Sequence, residues 1–414
     1  MIARRSVAVA LVSLVSVACA TNQEALDIEA TLVSTTTTTP VAPAETATTS
    51  DPAVTATLPP AAANPGWRQL QAVPLAGRIW YSTTWTGREL MIWGGVLPTT
   101  GASYDDGAIF DTSDDEWRLM PLSPLEARVA HTAVWTGDEV IVWGGHSGGT
   151  GGKPSRRFSD GAAFEPSTAT WRAIAIPDLA GGPGYASVWT GSEMIVIGGN
   201  DGNQSFAENG LNEAGVYDPL TDTWRPLEMP VELTVLDAVW TGTEVVVYGV
   251  ERYLGRLVGV SLDPATGDWR QLPTAPVHPA VPDIDRVGDE ILAWSYDPEE
   301  DGIAVLDTAT LAWRDLPPFP GQPTEGIPNA AAVGPSETLM QSETVMAIYS
   351  DESKEWRQIE TPTADIGPFT VQPVWTGTDV LFFYAGIPPG DPNAHDGIPS
   401  QFWAYNLNTD HLGN

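Results

Sequence analysis

Five side chains suited to ligand recognition stand at fixed positions ahead of a repeated Trp-Thr-Gly motif. Tyr81, His131 and Tyr185 each lie four residues before the Trp of one copy. Arg78 and Arg128 precede Tyr81 and His131 by three residues. Guanidinium groups pair with carboxylates, and aromatic rings offer large, rigid contact surfaces. These residue types predict a binding site for a glycan, a carboxylate or a peptide.

The cluster is confined to three repeats, and it has two interpretations. At the position of Tyr81 the other repeats carry Leu236, Pro282, Asn329 and Val371. A ligand site on one side of the molecule would explain this asymmetry. Alternatively, the arginine and histidine side chains are scaffold groups that hydrogen-bond neighbouring repeats. We favour the scaffold interpretation for Arg78 and Arg128 and leave both interpretations open for the aromatic residues.

No established catalytic or metal-binding motif accompanies the cluster. The five histidines, at positions 131, 146, 278, 395 and 411, lack the spacing of metal ligands. The sequence contains no Gly-x-Ser-x-Gly elbow and no phosphate-binding loop. Segments 200–203 and 297–302 hold residues that bind calcium elsewhere, but neither follows the order of an EF-hand loop, and turn formation explains them better. We therefore predict no metal site and no cofactor.

The chain begins like an exported protein. Arg4 and Arg5 precede an apolar stretch, which predicts an export signal over residues 1–18 that is too short for a stable membrane span. Cys19, the only cysteine, follows directly, and the junction resembles the lipobox of bacterial lipoproteins, with Ser16 where leucine is usual. We predict lipidation of Cys19 and an extracellular, membrane-anchored protein. The alternative is an ordinary secretory signal in which Cys19 has no role.

Composition then separates a tether from a folded domain and limits the partners. Residues 19–64 are rich in Thr, Ala and Pro, which predicts a disordered tether before a domain at 65–414. Beyond Cys19 the chain carries 17 basic and 53 acidic residues, a net charge of −36. This charge opposes binding to nucleic acid or anionic lipid. The partners expected are a glycan or an extracellular protein, with membrane contact only through a lipid anchor at Cys19, and we expect a monomer.

Two motifs recur along residues 65–414 and predict the architecture. Trp-Thr-Gly, an acidic residue and an apolar run recur at 85–95, 135–145, 189–199, 240–250 and 375–386, and in most copies Gly-Gly follows. Trp-Arg recurs seven times, at intervals of 43 to 54 residues. A period of this length is typical of a β-propeller. Each unit can be divided into four strands, with small residues in strand one and a continuous apolar run in strand two, as expected for blades packed on both sides.

The two ends of the repeat array predict how the ring closes. Weaker copies of the first motif bring the number of strand-one and strand-two pairs to seven. The last unit ends before a fourth strand, whereas Trp67-Arg68 has no strands before it. We therefore predict that residues 66–72 pair into the last blade and close the ring, leaving no exposed sheet edge there.

The Gly-Gly pairs, the Tyr/Phe-Asp/Glu-Pro turns and the strand-four Trp resemble those of bacterial kelch-repeat propellers, the architecture of the galactose oxidase central domain. The resemblance covers 65–414 and implies an all-β, seven-bladed kelch-type β-propeller. Two departures matter. An Arg-x-x-His start of strand one is complete only at Arg128–His131, and the Cys–Tyr radical site of galactose oxidases is impossible because Cys19 lies at the export signal. The resemblance therefore implies a fold and not an activity.

Polar and aromatic residues that occur in every repeat do not mark a single site. The acidic residues after the turn are Glu89, Glu139, Glu193, Glu244, Glu290, Glu337 and Asp379. We hypothesise that each pairs with a strand-four arginine, within or between blades. The two motifs also contain 12 of the 17 tryptophans. Their periodic placement predicts core residues rather than a surface for stacking ligands.

Loop lengths indicate which face carries function. The long loops between strands two and three, at 96–106, 146–160, 200–213 and 387–401, belong to blades that are consecutive in a closed ring. They would form a wall over half of one face. The preferred function is a cell-surface binding or scaffold module, and the alternative is a carbohydrate-active enzyme (an epimerase, lyase or glycosidase) on the same face. An enzyme needs an acid and a base within reach of each other. No carboxylate stands in the cluster by sequence, so binding is favoured.

Overall fold

The computed structural model describes residues 66–97, 100–148, 156–200, 210–251, 256–277, 282–287, 290–295, 302–320, 329–334, 336–341, 345–360, 373–384 and 401–407. The predicted export signal, Cys19 and the tether lie outside these residues, as do His278, His395 and His411. Within the described ranges, no helix is long and apolar enough to cross a membrane.

The described residues form 28 strands. In chain order they are β1 (Trp67–Gln69), β2 (Ser82–Trp85), β3 (Glu89–Trp93), β4 (Gly107–Asp111), β5 (Glu116–Leu119), β6 (Thr132–Trp135), β7 (Val140–Trp143), β8 (Gly161–Glu165), β9 (Thr170–Ala173), β10 (Tyr185–Trp189), β11 (Met194–Asn200), β12 (Gly210–Asp218), β13 (Thr223–Pro226) and β14 (Leu233–Trp240). The second half continues with β15 (Val245–Glu251), β16 (Leu257–Leu262), β17 (Trp269–Gln271), β18 (Pro282–Val287), β19 (Glu290–Ser295), β20 (Gly302–Asp307), β21 (Ala312–Asp315), β22 (Asn329–Ala332), β23 (Glu337–Gln341), β24 (Met346–Ser350), β25 (Glu355–Ile359), β26 (Val374–Trp375), β27 (Asp379–Tyr384) and β28 (Gln401–Asn406).

These strands pair into seven antiparallel sheets of four strands, so the predicted all-β, seven-bladed propeller is confirmed. Blades one to six take consecutive strands, from β2–β5 to β22–β25, and blade seven has the order β26-β27-β28-β1. Because neighbouring strands run antiparallel, the turns after strands one and three of each blade lie at one face of the ring, and the loops after strands two and four lie at the other. We call the face with the Trp-Thr-Gly turns the lower face. The loops from strand two to strand three and the linkers to the next blade then lie towards the upper face.

The core lies between blades, because the middle strands are covered on both sides. Ile141 and Val142 are adjacent in β7, and both are at most 1% exposed. Ile141 packs with residues of blade three, whereas Val142 packs with residues of blade one. Each continuous apolar run is thus shared between two interfaces, as expected for a strand buried on both faces.

Blade seven is completed by the N-terminal strand. Trp67 pairs with Tyr405, and Gln69 pairs with Trp403, while the Leu70 amide donates to the Phe402 carbonyl at 2.9 Å. On its other side blade seven packs against blade one through an apolar cluster. The ring is therefore closed by strand pairing between the two ends of the propeller.

The Trp-Arg tryptophans lie at blade interfaces rather than in the fully buried core. They are partly exposed because strand four is the outermost strand of each blade. In six cases the indole Nε1 donates to a carbonyl that follows strand four of the preceding blade: Trp67 to Glu360, Trp117 to Gln71, Trp171 to Pro121, Trp224 to Ala175, Trp313 to Pro273 and Trp356 to Pro317. The fully buried tryptophans include Trp143 and Trp294, which belong to strand two. The predicted core role is confirmed in part, because all twelve motif tryptophans pack against the buried clusters but are themselves only partly buried. The six hydrogen-bonded Trp-Arg tryptophans also tie the outer edges of adjacent blades together.

The hypothesis that acidic residues pair with strand-four arginines is confirmed in six blades. The pairs are Arg118–Glu89 (2.8 Å), Arg172–Glu139 (2.5 Å), Arg225–Glu193 (2.8 Å), Arg270–Glu244 (2.5 Å), Arg314–Glu290 (2.7 Å) and Arg68–Asp379 (3.3 Å). Each joins strand two to strand four within a blade near the lower face. Arg314 also reaches Asp351 of blade six at 2.5 Å, and Arg68 also contacts Asp115 of blade one, so two of these arginines form pairs between blades as well.

A single lower-face pair is expected to contribute little stability. The Arg225 side chain is 51% exposed, so water and salt screen its attraction to Glu193. In a double-mutant cycle of Glu193→Gln and Arg225→Met, we expect a coupling free energy below about 1 kcal/mol, measured by urea unfolding. The coupling is expected to shrink further in about 1 M NaCl. A coupling several times larger would show that the pairs, and not the apolar interfaces, set the blade register.

Candidate functional site

Blades one and two carry a second layer of backbone pairing towards the upper face. In blade one, Val96 forms β-bridges with Ile79 and with Ser103. In blade two, His146 bridges Val129 and Arg157 in the same pattern. We call these bridged segments the platforms. They hold the linker that enters strand one and the loop after strand two at a fixed height above the sheet.

The Gly-Gly pair after strand two makes each platform possible. Gly95 and Gly145 have φ values of 98° and 82°, which side chains rarely adopt. A Cβ atom would lie 2.8 Å from the Ile79 carbonyl oxygen at Gly95, and 2.7 Å from the Val129 carbonyl oxygen at Gly145. Only glycine therefore lets the chain leave strand two and approach the entering linker this closely.

Arg78 is buried beneath the blade-one platform. Its side chain is fully inaccessible, and Nη1 donates to the Gly94 carbonyl at 3.0 Å and to Asp106 Oδ1 at 2.7 Å. The guanidinium lies 4.1 Å from the centre of the Tyr104 ring. Nε donates to the Ala76 carbonyl at 3.0 Å. One arginine thus joins the entering linker, the end of strand two and the start of strand three.

Arg128 repeats this arrangement in blade two. It is fully buried, Nη1 donates to the Gly144 carbonyl at 3.0 Å, and Nη2 lies 3.0 Å from Asp160 Oδ1. The Phe158 ring centre is 4.4 Å from the guanidinium. Burial lowers the pKa of Arg128, and the Asp160 carboxylate opposes that shift. These contacts are those of the scaffold interpretation, and a direct ligand contact by Arg78 or Arg128 stays a prediction.

The three aromatic residues of the predicted site pack between neighbouring blades. Each packs edge-on against the aromatic residue that ends or nearly ends strand two of the preceding blade. The ring-centre distances are 5.2 Å for Tyr81–Phe383, 4.9 Å for His131–Trp93 and 4.9 Å for Tyr185–Trp143. The structure thus brings the five predicted residues to the inner ends of three consecutive blades. Their role towards a ligand stays a prediction.

The inference that no carboxylate accompanies the cluster is wrong. Tyr185 donates its hydroxyl to Glu213 Oε2 at 2.6 Å, and the Ala180 amide donates to the same oxygen at 2.9 Å. Burial, reinforced by Glu213, raises the pKa of Tyr185, so the hydroxyl stays protonated and donates. Asp106 and Asp160 stand directly before strand three in their blades, and Glu213 occupies the equivalent position of the repeat within the longer strand β12. That position was the available sequence signal, but it predicts a contact only once the blades are assembled.

Asp106 and Asp160 are the accessible members of the two arginine pairs. The Asp106 and Asp160 side chains are 49% and 40% exposed, whereas their arginine partners have no exposed surface. A buried guanidinium therefore fixes a carboxylate at the upper face in each platform. No group of three potential metal ligands occurs among the residues that the structure describes.

His131 is held neutral inside the interface, which makes stability depend on pH. Burial, followed by the nearby charge of Arg128, lowers the pKa of His131 to about 3. The unfolded chain binds a proton near pH 6.5 while the folded protein does not, so stability is constant above that pH and falls below it. We expect the stability advantage of the wild type over His131→Gln to shrink by about 2 kcal/mol from pH 7.5 to pH 4.5.

The pH effect is measured as the difference in urea unfolding free energy between the two proteins. Burial raises the pKa of Asp285 to about 6, which by itself makes stability fall as pH rises from about 4 to 6. Asp285 is present in both proteins, so its contribution cancels in the difference. A difference that does not change with pH would mean that His131 titrates normally in the folded state.

Other predicted features lie partly or wholly outside the described ranges. Leu236 sits in a register shift of β14, between Val235 and Asp237. The side chains of Pro282 and Asn329 and all of Val371 lie outside the described ranges, as do residues 149–155, 201–209 and 387–400 of the long loops. Of the two calcium-like segments only Asn200 and Gly302 are described. The predicted wall of loops thus stays a prediction, while its bases in blades one and two are the platforms.

Comparison with known proteins finds a likeness to kelch repeats over four of the seven blades. Residues 80–281 match the family model described as the KLHDC2/KLHL20/DRC7 Kelch-repeats domain. The matched segment begins just before strand one of blade one and runs through blade four. No curated protein matches the chain.

Proposed function

We propose that this chain is an extracellular binding module that presents the upper face of blades one to three to a protein partner. Kelch-repeat propellers typically act as protein-binding scaffolds, and the kelch match covers these blades. The predicted export signal, lipid anchor at Cys19 and tether would hold the propeller away from the cell surface. A glycan ligand on the same face is the other ligand class that the aromatic and arginine cluster supports.

The two platforms are the observation that carries the proposal. Val96 and His146 each form a β-bridge on both sides, and the buried Arg78 and Arg128 tie the platforms to the sheets below. Bridged segments fixed in this way lose little conformational freedom when a partner binds. The platforms are therefore suited to presenting a binding surface at the upper face.

Catalysis is not proposed, because the carboxylates beside the cluster are already engaged. Asp106 pairs with Arg78, Asp160 pairs with Arg128, and Glu213 accepts the Tyr185 hydroxyl. The contacts of these groups instead fix loop and strand positions.

Site-specific photocrosslinking tests the proposal. A benzophenone side chain is placed at the exposed positions Ala102 or Arg156 of the platforms, and at Glu116 or Glu355 on strand four as matched controls. The full chain is then irradiated on living cells of its source and in extracellular fluid. A protein adduct formed from the platform positions and not from the controls is expected. Equal adducts at all positions, or none at any, would reject the upper face as a protein-binding surface.

A glycan array probed with the same protein separates the two ligand classes. Saturable glycan binding that weakens in the Tyr81→Ala/His131→Ala/Tyr185→Ala variant, without protein adducts, would replace the protein partner by a glycan. The variant must first show a cooperative unfolding transition, because all three side chains pack between blades.

A further inference from the structure

The linkers that follow strand four carry large aliphatic side chains in blades one to three. Leu122, Ile176 and Met229 each lie five residues after the Trp of the Trp-Arg motif. The corresponding residues of the other blades are Ala72, Thr274, Pro318 and Thr361. Leu122 is 87% exposed and Ile176 is 67% exposed, although both are large and apolar. We call the outer edge of the upper face, where these linkers lie, the rim. The rim therefore carries large aliphatic residues at this position only in blades one to three, the same blades as the predicted site.

A groove of about 400 Å³ lies on this rim at blade three. We call it the rim groove. Its walls are the linker segment Asp178–Leu179, the start of strand three at Asn212–Ala214 and the linker segment Leu227–Met229. The Leu233 amide donates to Asn212 Oδ1 at 3.2 Å, and the Ala180 amide donates to Glu213 at 2.9 Å. Both linkers are therefore fixed to the strand between them.

The lining combines apolar surface with negative charge. Leu179, Leu227 and Met229 are partly buried hydrophobic residues that pack against the core, and they supply the apolar part of the lining. The charged lining residues are Asp178, Glu213 and Glu228, and the lining includes no lysine or arginine.

Glu213 is held in place for binding. Its two hydrogen bonds, from the Tyr185 hydroxyl and the Ala180 amide, both use Oε2. Among the described residues, Oε1 has no donor and can accept from a ligand. Asp178 and Glu228 are exposed, so they can adjust to the position of a bound cation.

We propose that the rim groove binds a basic and aliphatic segment of the protein partner, with an arginine or lysine as its central residue. The methylene stem would lie on the apolar surface while the charged head meets the carboxylates, the arrangement that long basic side chains favour. A guanidinium can contact a carboxylate with two parallel hydrogen bonds, which favours arginine. The charge of −36 beyond Cys19 attracts the same partner at longer range. This inference rests on the proposed function, because it names the chemistry of that partner.

Calorimetric titration of the full chain with two matched peptides tests the groove. The probe is acetyl-Leu-Arg-Leu-Arg-Leu amide, and its control has citrulline, the neutral isostere, at both arginine positions. We expect saturable binding of the arginine peptide and at least tenfold weaker binding of the citrulline peptide. Asp178→Asn/Glu228→Gln is expected to weaken the arginine peptide at least tenfold. Asp268→Asn/Glu355→Gln removes the same charge from exposed sites outside the groove and is expected to change affinity less than twofold.

The outcomes separate the groove from the proposed function. Equal affinity for both peptides, or an equal loss in both double variants, would overturn the groove as a cation-binding site. If protein adducts still form at Ala102 and Arg156 in Asp178→Asn/Glu228→Gln with undiminished yield, the groove fails and the upper-face function stands. If the arginine peptide binds as expected while no platform adduct forms, the groove stands and the upper-face function fails.

Discussion

Replacement of Arg128 by methionine is expected to lower the free energy of unfolding by about 2–4 kcal/mol, because buried carbonyl oxygens lose a charged donor and Asp160 loses its partner. The Arg128 side chain is fully buried, and its guanidinium donates a hydrogen bond to the Gly144 carbonyl and forms an ion pair with the Asp160 carboxylate. Methionine fills similar space but donates nothing. The carbonyls then lose their donors, and Asp160 keeps a charge without a partner. Urea unfolding at neutral pH measures the change.

The adjacent Arg156 is the control for this experiment. Its side chain is 65% exposed and pairs with Glu126 at 2.6 Å, so Arg156→Met is expected to cost less than about 1 kcal/mol. Adding Asp160→Asn to Arg128→Met is expected to recover part of the loss, since the unpaired charge disappears. A cost for Arg128→Met as small as that for Arg156→Met would show that the platform does not depend on its buried arginine.

The repeat determined which features of the fold the sequence could predict. Trp-Arg recurs at nearly constant spacing, and the apolar run after each Trp-Thr-Gly motif has the composition of a strand buried on both sides. Both signals are local and occur many times, so the blade count did not depend on a single copy. The Glu–Arg pairs followed for the same reason, because each pair lies within one blade.

Contacts that depend on strand pairing or on the packing of one blade against the next were beyond the sequence. Arg128 and Asp160 are 32 positions apart, and Asp160 comes within reach of Arg128 only when strands two and three have paired. Likewise, the edge-on packing of Tyr185 on Trp143 requires the placement of one blade against the next. The periodic placement of the tryptophans predicted that they pack against the core. Periodicity shows that a position is repeated, but it does not show how deeply that position is buried. Strand four is outermost, so its Trp is left partly exposed.

Loss of the Trp67 side chain is expected to weaken the closure of the ring. The Trp67 ring lies 5.1 Å from Phe382 and 4.8 Å from Tyr405 between ring centres, and its Nε1 donates to the Glu360 carbonyl at 2.7 Å. Trp67→Ala is expected to lower the free energy of unfolding by about 3 kcal/mol, the lower end for a large aromatic residue because the ring is partly exposed. Urea unfolding monitored by fluorescence and circular dichroism measures it.

A matched tryptophan shows whether the effect belongs to closure. Trp356 donates to the Pro317 carbonyl at 2.8 Å and packs on Tyr349 at 5.3 Å, but its strand β25 follows β24 in the chain. Trp356→Ala is expected to be destabilising by a similar amount. However, strand β25 stays connected to its neighbour, whereas β1 is joined to blade seven only by pairing.

Detachment of β1 would expose the backbone of β28 as a free sheet edge, which can pair with another chain. We therefore expect Trp67→Ala, and not Trp356→Ala, to self-associate at high concentration in sedimentation velocity at about 1–2 M urea, below the main unfolding transition. If both variants stay at the same size, or if both associate, the N-terminal strand has no special part in holding the ring together. A difference confined to Trp67→Ala would mean that the ring is weakest where its two ends meet, because only hydrogen bonds and side-chain packing hold β1 there.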